Sequence, residues 1–171
     1  MNLSLEGKNA VICGSSQGIG AAIAVELALM GANCTLLARN EEGLQSAVAS
    51  LDNTLRQTHR YHSIDFADED ALHALLPQLV TDGPVHILVN NTGGPAAGPI
   101  VAAKEEQFLT AFQQHIISSH MLTKAVIEGM KSEGFGRIIN VISTSVKIPL
   151  QNLGVSNTIR GAMASWAKTM A

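Results

Sequence analysis

The sequence is short of charge. Asp, Glu, Lys and Arg together make up 15% of its 171 residues, and the formal net charge is −3. Neither a nucleic-acid interface nor an anionic-membrane surface is expected from that balance. No apolar run approaches the roughly 20 residues needed to cross a bilayer. The opening segment, Met1 to Lys8, lacks the basic and apolar regions of a secretory leader, so a cytoplasmic location is expected. Cysteine is scarce as well. Cys13 and Cys34 read at opposite ends of neighbouring strands, on the order of 10 Å apart along the sheet. That is beyond disulfide reach, and both read as small buried thiols. The histidines, His59, His62, His73, His86, His115 and His120, form no His-Glu-x-x-His pattern. His59 and His62 would face opposite sides of a strand, so no metal site is expected. A Gly-x-Ser-x-Gly nucleophile elbow is also missing.

What is present is a regular alternation of strand and helix signals in a chain that is 46% hydrophobic. Strands are expected at 9–13, 33–38, 59–64, 85–89 and 137–142. The third is the most polar and suits a sheet edge. Helices are expected at 18–30, with a stripe of Ile19, Ile23, Leu27 and Met30, and at 41–55, with Leu44, Val48, Leu51 and Leu55. Further helices are expected at 68–80, 104–131 and 155–171. Such alternation implies a parallel sheet covered on both faces. Right-handed crossovers favour a Rossmann-type doubly wound α/β sheet of order 3-2-1-4-5. No linker or repeat divides the chain, so residues 1–171 are expected to form a single dinucleotide-binding domain.

The first strand runs into the first helix through Gly14-Ser15-Ser16-Gln17-Gly18-Ile19-Gly20. A pyrophosphate needs close backbone approach and the free N–H groups of a helix start, and glycine permits both. A turn that only packs helix on strand would look similar. The position of this one, at the start of a βαβ pattern, favours phosphate.

The spacing Gly-x-x-x-Gly-x-Gly resembles the short-chain dehydrogenase/reductase family's Thr-Gly-x-x-x-Gly-Ile-Gly, with Cys13 in the threonine place. Asn90-Asn91-Thr92-Gly93 is similar to that family's Asn-Asn-Ala-Gly, and Asp65 stands where a family aspartate touches the adenine. The resemblance covers essentially the whole chain and implies that Asn91 and Gly93 also border a nicotinamide dinucleotide. The second strand ends in Ala38-Arg39-Asn40. No carboxylate is there to bind ribose hydroxyls, whereas the Arg39 guanidinium suits a 2′-phosphate. NADP(H) is therefore expected in preference to NAD(H).

The same resemblance locates the catalytic positions. Ser143, after strand five, stands at the family serine that orients the substrate oxygen. Ser156-Asn157-Thr158-Ile159-Arg160 stands where the family has Tyr-x-x-x-Lys, so Ser156 replaces the proton-donating tyrosine and Arg160 the lysine that holds the nicotinamide ribose. His115 falls at the family asparagine. A serine hydroxyl alone is a poor acid, and arginine does not relay protons. His115 and Lys147 are the candidates to supply the proton, each with a structural alternative. Tyr61, the single tyrosine, lies in strand three and cannot substitute. The Asn-Asn-x-Gly-Gly-Pro loop with Ser-Asn-x-x-Arg is similar to a 3-oxoacyl-carrier-protein-reductase-like subset of the family.

The expected function is an NADP-dependent oxidoreductase acting on a carbonyl or alcohol. The alternative is a catalytically impaired nucleotide-binding sensor or partner subunit. The resemblance further implies a homodimer or homotetramer. It also implies that the chain lacks the family's usual C-terminal strands, which would leave strand five as an open edge.

Overall fold

A computed structural model describes residues 3–171. In chain order it has β1 (Asn9–Cys13), α1 (Gly18–Leu29), β2 (Asn33–Ala38), α2 (Glu41–Ala49), β3 (Arg60–Ser63), α3 (Glu69–Leu79) and β4 (Ile87–Asn90). There follow α4 (Glu105–Phe112), α5 (Ser118–Ser132), β5 (Arg137–Asn140) and α6 (Gly154–Met170). The strands make one parallel sheet of order β3-β2-β1-β4-β5, the doubly wound α/β arrangement expected from the sequence.

Strand periodicity divides the core between two faces. Val11, Cys13, Leu37 and Leu88 pack with Leu72 and Leu75 of α3 and with Leu122 and Val126 of α5. The intervening residues Ala10, Ile12, Leu36 and Val89 pack with Ala24 and Ala28 of α1 and Leu44 of α2. A third cluster joins α4 to α6 through Ala111, Ile116, Val155, Ile159 and Met163. Both cysteines are free and buried, and burial pushes each thiol up to about 12. Such thiols do not ionise near neutral pH and are unreactive.

Several expected elements differ. The Ile19 stripe is not the buried face of α1: Ile19 is 60% exposed, while Gly20, Ala24 and Ala28 meet the sheet. Small side chains at that spacing let the helix axis come close to β1, and the larger residues flank the contact. The helix stops as expected at Gly31, with Ala32 N–H donating to the Leu27 carbonyl (3.0 Å) and Gly31 N–H to Ala28 (2.8 Å), the paired bonds of a Schellman cap. The second helix ends at Ala49 and does not reach Leu55. Asp52 accepts from both the backbone N–H and the hydroxyl of Thr54, and that local turn competes with helix. β4 begins at Ile87 where Val85 was expected, and β5 ends at Asn140 where Ile142 was expected. The helix expected from 104 to 131 is two helices joined by a π-helical turn, Gln113–Ile117.

β3 and β5 are the sheet edges. β5 is the barer one: Ile139 is 44% exposed, and a hollow of about 500 Å³ lies beside it, bordered by Phe135, Ile138, Trp166 and Met170. At the opposite end of the sheet from the strand tips, His86 Nδ1 accepts the Asn9 backbone N–H at 3.0 Å.

Burial, then the Lys8 charge, lowers the His86 pKa, and burial, then Arg60, lowers that of His62. The folded state therefore disfavours protonation of both rings, for His86 against an opposing pull from Glu133, while the unfolded chain takes up protons below about 6.5. Stability is present above that range and lost as pH falls through it. Tm is expected to drop between about pH 7.5 and about pH 5.5; a flat profile contradicts this account.

Candidate nucleotide-binding and catalytic site

The chain winds outward from β1 through β2 to β3 and then returns through α3 to β4 on the other side of β1, and the gap between the tips of β1 and β4 is where such sheets bind ligands. The turn from Gly14 to Gly20 borders that gap. Gly14 has φ +60°, and a Cβ on it would lie 2.3 Å from the Asn91 carbonyl oxygen. A Cβ on Gly20 would lie 2.3 Å from the Gly14 carbonyl oxygen. Glycine at both positions lets α1 start directly against the end of β1. Gln17 caps the helix in extended conformation without a side-chain hydrogen bond, and the first turn contains no acidic residue. The first-turn amides consequently have neither an intrahelical acceptor nor a counter-charge, which makes an anion site.

Not every residue of the turn faces the gap. Ser15 is fully buried; its hydroxyl donates to the Ile12 carbonyl (2.8 Å) and accepts from Leu37 N–H (3.1 Å). It ties the turn to β1 and β2. Asn91 Nδ2 donates to the carbonyls of Cys13 (3.3 Å) and Gly14 (3.2 Å) and pins the turn from β4. Gly14, Ser16, Gln17, Arg39, Thr92 and Gly93 border a cleft of about 400 Å³. Gly18, Ile19 and Gly20 continue from its rim into α1. Arg39 Nη1 lies 3.9 Å from Asp65 Oδ2, both side chains well exposed. A surface pair of that kind is weak, so Arg39 stays available to an incoming phosphate. Asp65 also accepts the Ala67 N–H at 2.9 Å.

His115 and Arg160, at two of the family's catalytic positions, meet at Thr92, which borders the cleft. His115, 3% exposed in the π-helical turn, shares a 2.5 Å hydrogen bond between Nδ1 and Thr92 Oγ1, and its Nε2 is buried without a partner. Burial, then the positive charge of Arg160, lowers its pKa to about 4, against an opposing contribution from the Gly93 backbone. Arg160 Nη1 donates to the Val141 carbonyl (2.8 Å) and Nη2 to the Thr92 carbonyl (3.3 Å). These bonds brace α6 against the tips of β4 and β5. Ser156 lies one turn before Arg160 on the same side of α6. Ser143 Oγ accepts the Ser145 N–H at 3.1 Å, which leaves its proton free to donate. Lys147 is exposed beyond the short turn Thr144–Val146. The loops after β4 and β5 are joined by a bridge of Gly98 to Leu153, with Gly98 N–H donating to the Asn152 carbonyl at 2.7 Å. Tyr61 is on β3, bonded to Gln45 and Glu41, away from this end.

The cleft is also bordered by Ala38, Asn40, Phe66 and Thr92, which the sequence did not mark as site residues; two of them are polar. Asn40 borders the cleft and caps α2 by accepting Gly43 N–H at 3.0 Å; an Asn just before a helix was the available signal. Thr92 was noted only as part of a motif. Its hydroxyl replaces a family methyl where His115 replaces an asparagine, and the two altered positions touch. Among the described residues no group of three or more His, Cys, Asp or Glu could hold a metal ion. No described helix is long and apolar enough to cross a membrane.

The family profile for short chain dehydrogenases matches residues 8–171. The 3-oxoacyl-(acyl-carrier-protein) reductase FabG of Vibrio cholerae is 33% identical over 99% of this chain and 68% of its own length. Curated relatives of that kind are matched over 55% to 68% of their length. Among solved structures, L-sorbose reductase from Gluconobacter frateurii complexed with NADPH and L-sorbose is 30% identical. It superposes with a TM-score of 0.92 over 99% of this chain and 65% of its own. An NAD+-bound xylitol dehydrogenase is 28% identical with a TM-score of 0.87, over 97% of this chain and 64% of its own.

Gly20→Ala is expected to force its methyl into the Gly14 carbonyl, cost about 1–3 kcal/mol of stability and abolish dinucleotide binding, read by thermal melts and nucleotide titration. Arg39→Ala is expected to weaken NADPH binding about tenfold or more while leaving NADH binding nearly unchanged; equal losses for the two would refute the role given to Arg39.

Proposed function

The chain belongs to the short-chain dehydrogenase family of oxidoreductases, and from that premise we propose that it is an NADP(H)-dependent oxidoreductase acting on a carbonyl or alcohol substrate. A 3-oxoacyl-type compound is the substrate class nearest by likeness. The observation that carries the reading is the pairing of uncapped α1 amides with an available Arg39 along one cleft. It gives a dinucleotide one place for its pyrophosphate and another for a 2′-phosphate.

A bound nicotinamide supplies hydride chemistry at its C4. The chain's own residues handle the substrate oxygen and its proton. Ser143 donates to that oxygen, since its acceptor side is already occupied by Ser145. Ser156 is too weak an acid to act as the family phenol does and passes a proton only in concert with another group. His115, held neutral near pH 7 by burial and the Arg160 charge, is a weak base, and it serves as a hydrogen-bond partner of the Thr92 hydroxyl instead of carrying a proton itself. Lys147 supplies a cation on the outer loop. Arg160 remains charged and holds the walls of the site by its carbonyl bonds.

The 171 residues act as one dinucleotide-binding domain, without nucleic acid or membrane as partner, and in the cytoplasm, where buried thiols stay reduced. A homodimer or homotetramer is proposed through α4, whose Leu109 and Phe112 are 70% and 44% exposed on one side of the helix. A second reading, a catalytically impaired nucleotide sensor or partner subunit, is favoured by Ser156 in place of a phenol and by an Arg160 whose hydrogen bonds go to backbone.

NADPH titration followed by oxidation assays on a panel of carbonyl compounds separates the two. The enzyme reading expects turnover that falls about a hundredfold in Ser143→Ala. Binding without turnover, unaffected by His115→Ala or Lys147→Ala, supports the sensor.

A further inference from the structure

We propose that the cleft reads the redox state of its nucleotide, holding NADPH, whose nicotinamide is neutral, more tightly than NADP+, whose ring is a cation. The inference rests on the reading that this cleft takes a nicotinamide dinucleotide at all. The discrimination comes from one uncompensated positive charge, Arg160.

Gly14 and Gln17 would hold the pyrophosphate of a dinucleotide and Arg39 its phosphorylated ribose, which would leave Thr92 and Gly93, on the border of the same cleft, for the nicotinamide half. Around the β4 and β5 tips the charge distribution is one-sided. No Asp or Glu occurs between Asp82 and Glu105, and none follows Glu133. Those stretches supply β4, β5, the loops after both strands, and α6. The same stretches carry Lys104, Arg137, Lys147, Arg160 and Lys168. Arg160 is the one bonded to a residue that borders the cleft, Thr92. It is half-buried, bonded to the carbonyls of Thr92 and Val141, and Nη2 is 3.8 Å from where a Cβ on Gly94 would be. Two carbonyl dipoles offset part of its field, but no carboxylate neutralises it. Glu106 on α4 borders a neighbouring hollow with Pro95, and it is exposed, where water and salt screen it.

Buried His115 already registers this field, because the Arg160 charge is one of the causes that keep its ring neutral. A cationic nicotinamide beside Thr92 would meet repulsion of the same sign as a protonated His115, and a neutral one would not. One half-buried like charge beside a bound ring is worth on the order of tenfold in affinity. Occupancy by the reduced form would then track the NADPH to NADP+ ratio, whether or not turnover follows.

The test is separate titration of the 171-residue chain with NADPH, NADP+ and 2′,5′-ADP, which keeps the phosphorylated adenosine but has no nicotinamide. NADPH is expected to bind on the order of tenfold tighter than NADP+. Arg160→Gln should bring that ratio toward one, and Arg160→Lys, which keeps the charge, should preserve most of it. Ser156→Glu places a carboxylate one turn before Arg160 and should also lower the ratio, with the Arg160 carbonyl bonds left in place should Arg160→Gln fail to fold. Affinity for 2′,5′-ADP should be the same in all. Equal NADPH and NADP+ affinities in the unaltered chain, or a ratio that neither Arg160→Gln nor Ser156→Glu changes, overturns the proposal and leaves the cofactor reading standing if 2′,5′-ADP binds. Failure of all three ligands to bind overturns the cofactor reading itself.

Discussion

The contact between Gly20 and the Gly14 carbonyl, too close for any side chain, sets the position of everything else around the cleft. It fixes how near α1 begins to the end of β1, and so where the unpaired amides of the first turn point. Ser15 ties the same turn to Leu37 on β2 and Asn91 ties it to β4. Three neighbouring strands thus converge on one short segment by hydrogen bonds that use no residue of the ligand. The shape of the turn is set by the chain's own contacts, and its cost is the burial of small residues Gly20, Ala24 and Ala28 against the sheet where larger ones would have removed more apolar surface from water.

The strand order and the location of the phosphate turn were legible because they depend on coarse signals: apolar runs of strand length, helical stripes, and glycine spacing. Arg39 was legible for a similar reason, since the end of β2 is defined by where its apolar run stops. The deep face of α1 was not, because that helix is apolar on several sides. Periodicity then favours the bulky Ile19, Ile23 and Leu27, while steric closeness selects alanine and glycine. The early end of α2 was hidden by Leu51 and Leu55, which continue a helical spacing; Leu51 is buried from a non-helical segment, and Leu55 is exposed. At the other end, the resemblance singled out His115 and Arg160 as candidates but not the groups they bond to. Hydrogen bonds across 23 and 68 positions of sequence have no local signature.

The two ends of the cleft differ in how much of their chemistry is already committed. At the Arg39 end the charged groups are exposed and weakly paired, so a ligand replaces water and loses little. At the Arg160 end the donors are engaged with backbone, His115 is neutral, and the family's residues are replaced at three positions, Ser156, Arg160 and His115. Binding therefore makes smaller demands on this chain than turnover does, and the two properties are separable in the same molecule.

The π-helical turn at Gln113–Ile117 is one residue wider per turn than its surroundings. α4 is locked on α6 through Phe108 and Ala111, and α5 is locked on the sheet through Leu122 and Val126. Loss of a single residue between them would turn one helix by about 100° relative to the other and disengage one of those faces. The extra residue reconciles two packing registers, and the widened turn that results is what turns the His115 ring inward to Thr92. A one-codon deletion in this segment would remove the polar dyad and the fit of two helices together, which couples the history of the catalytic end to that of the helical packing.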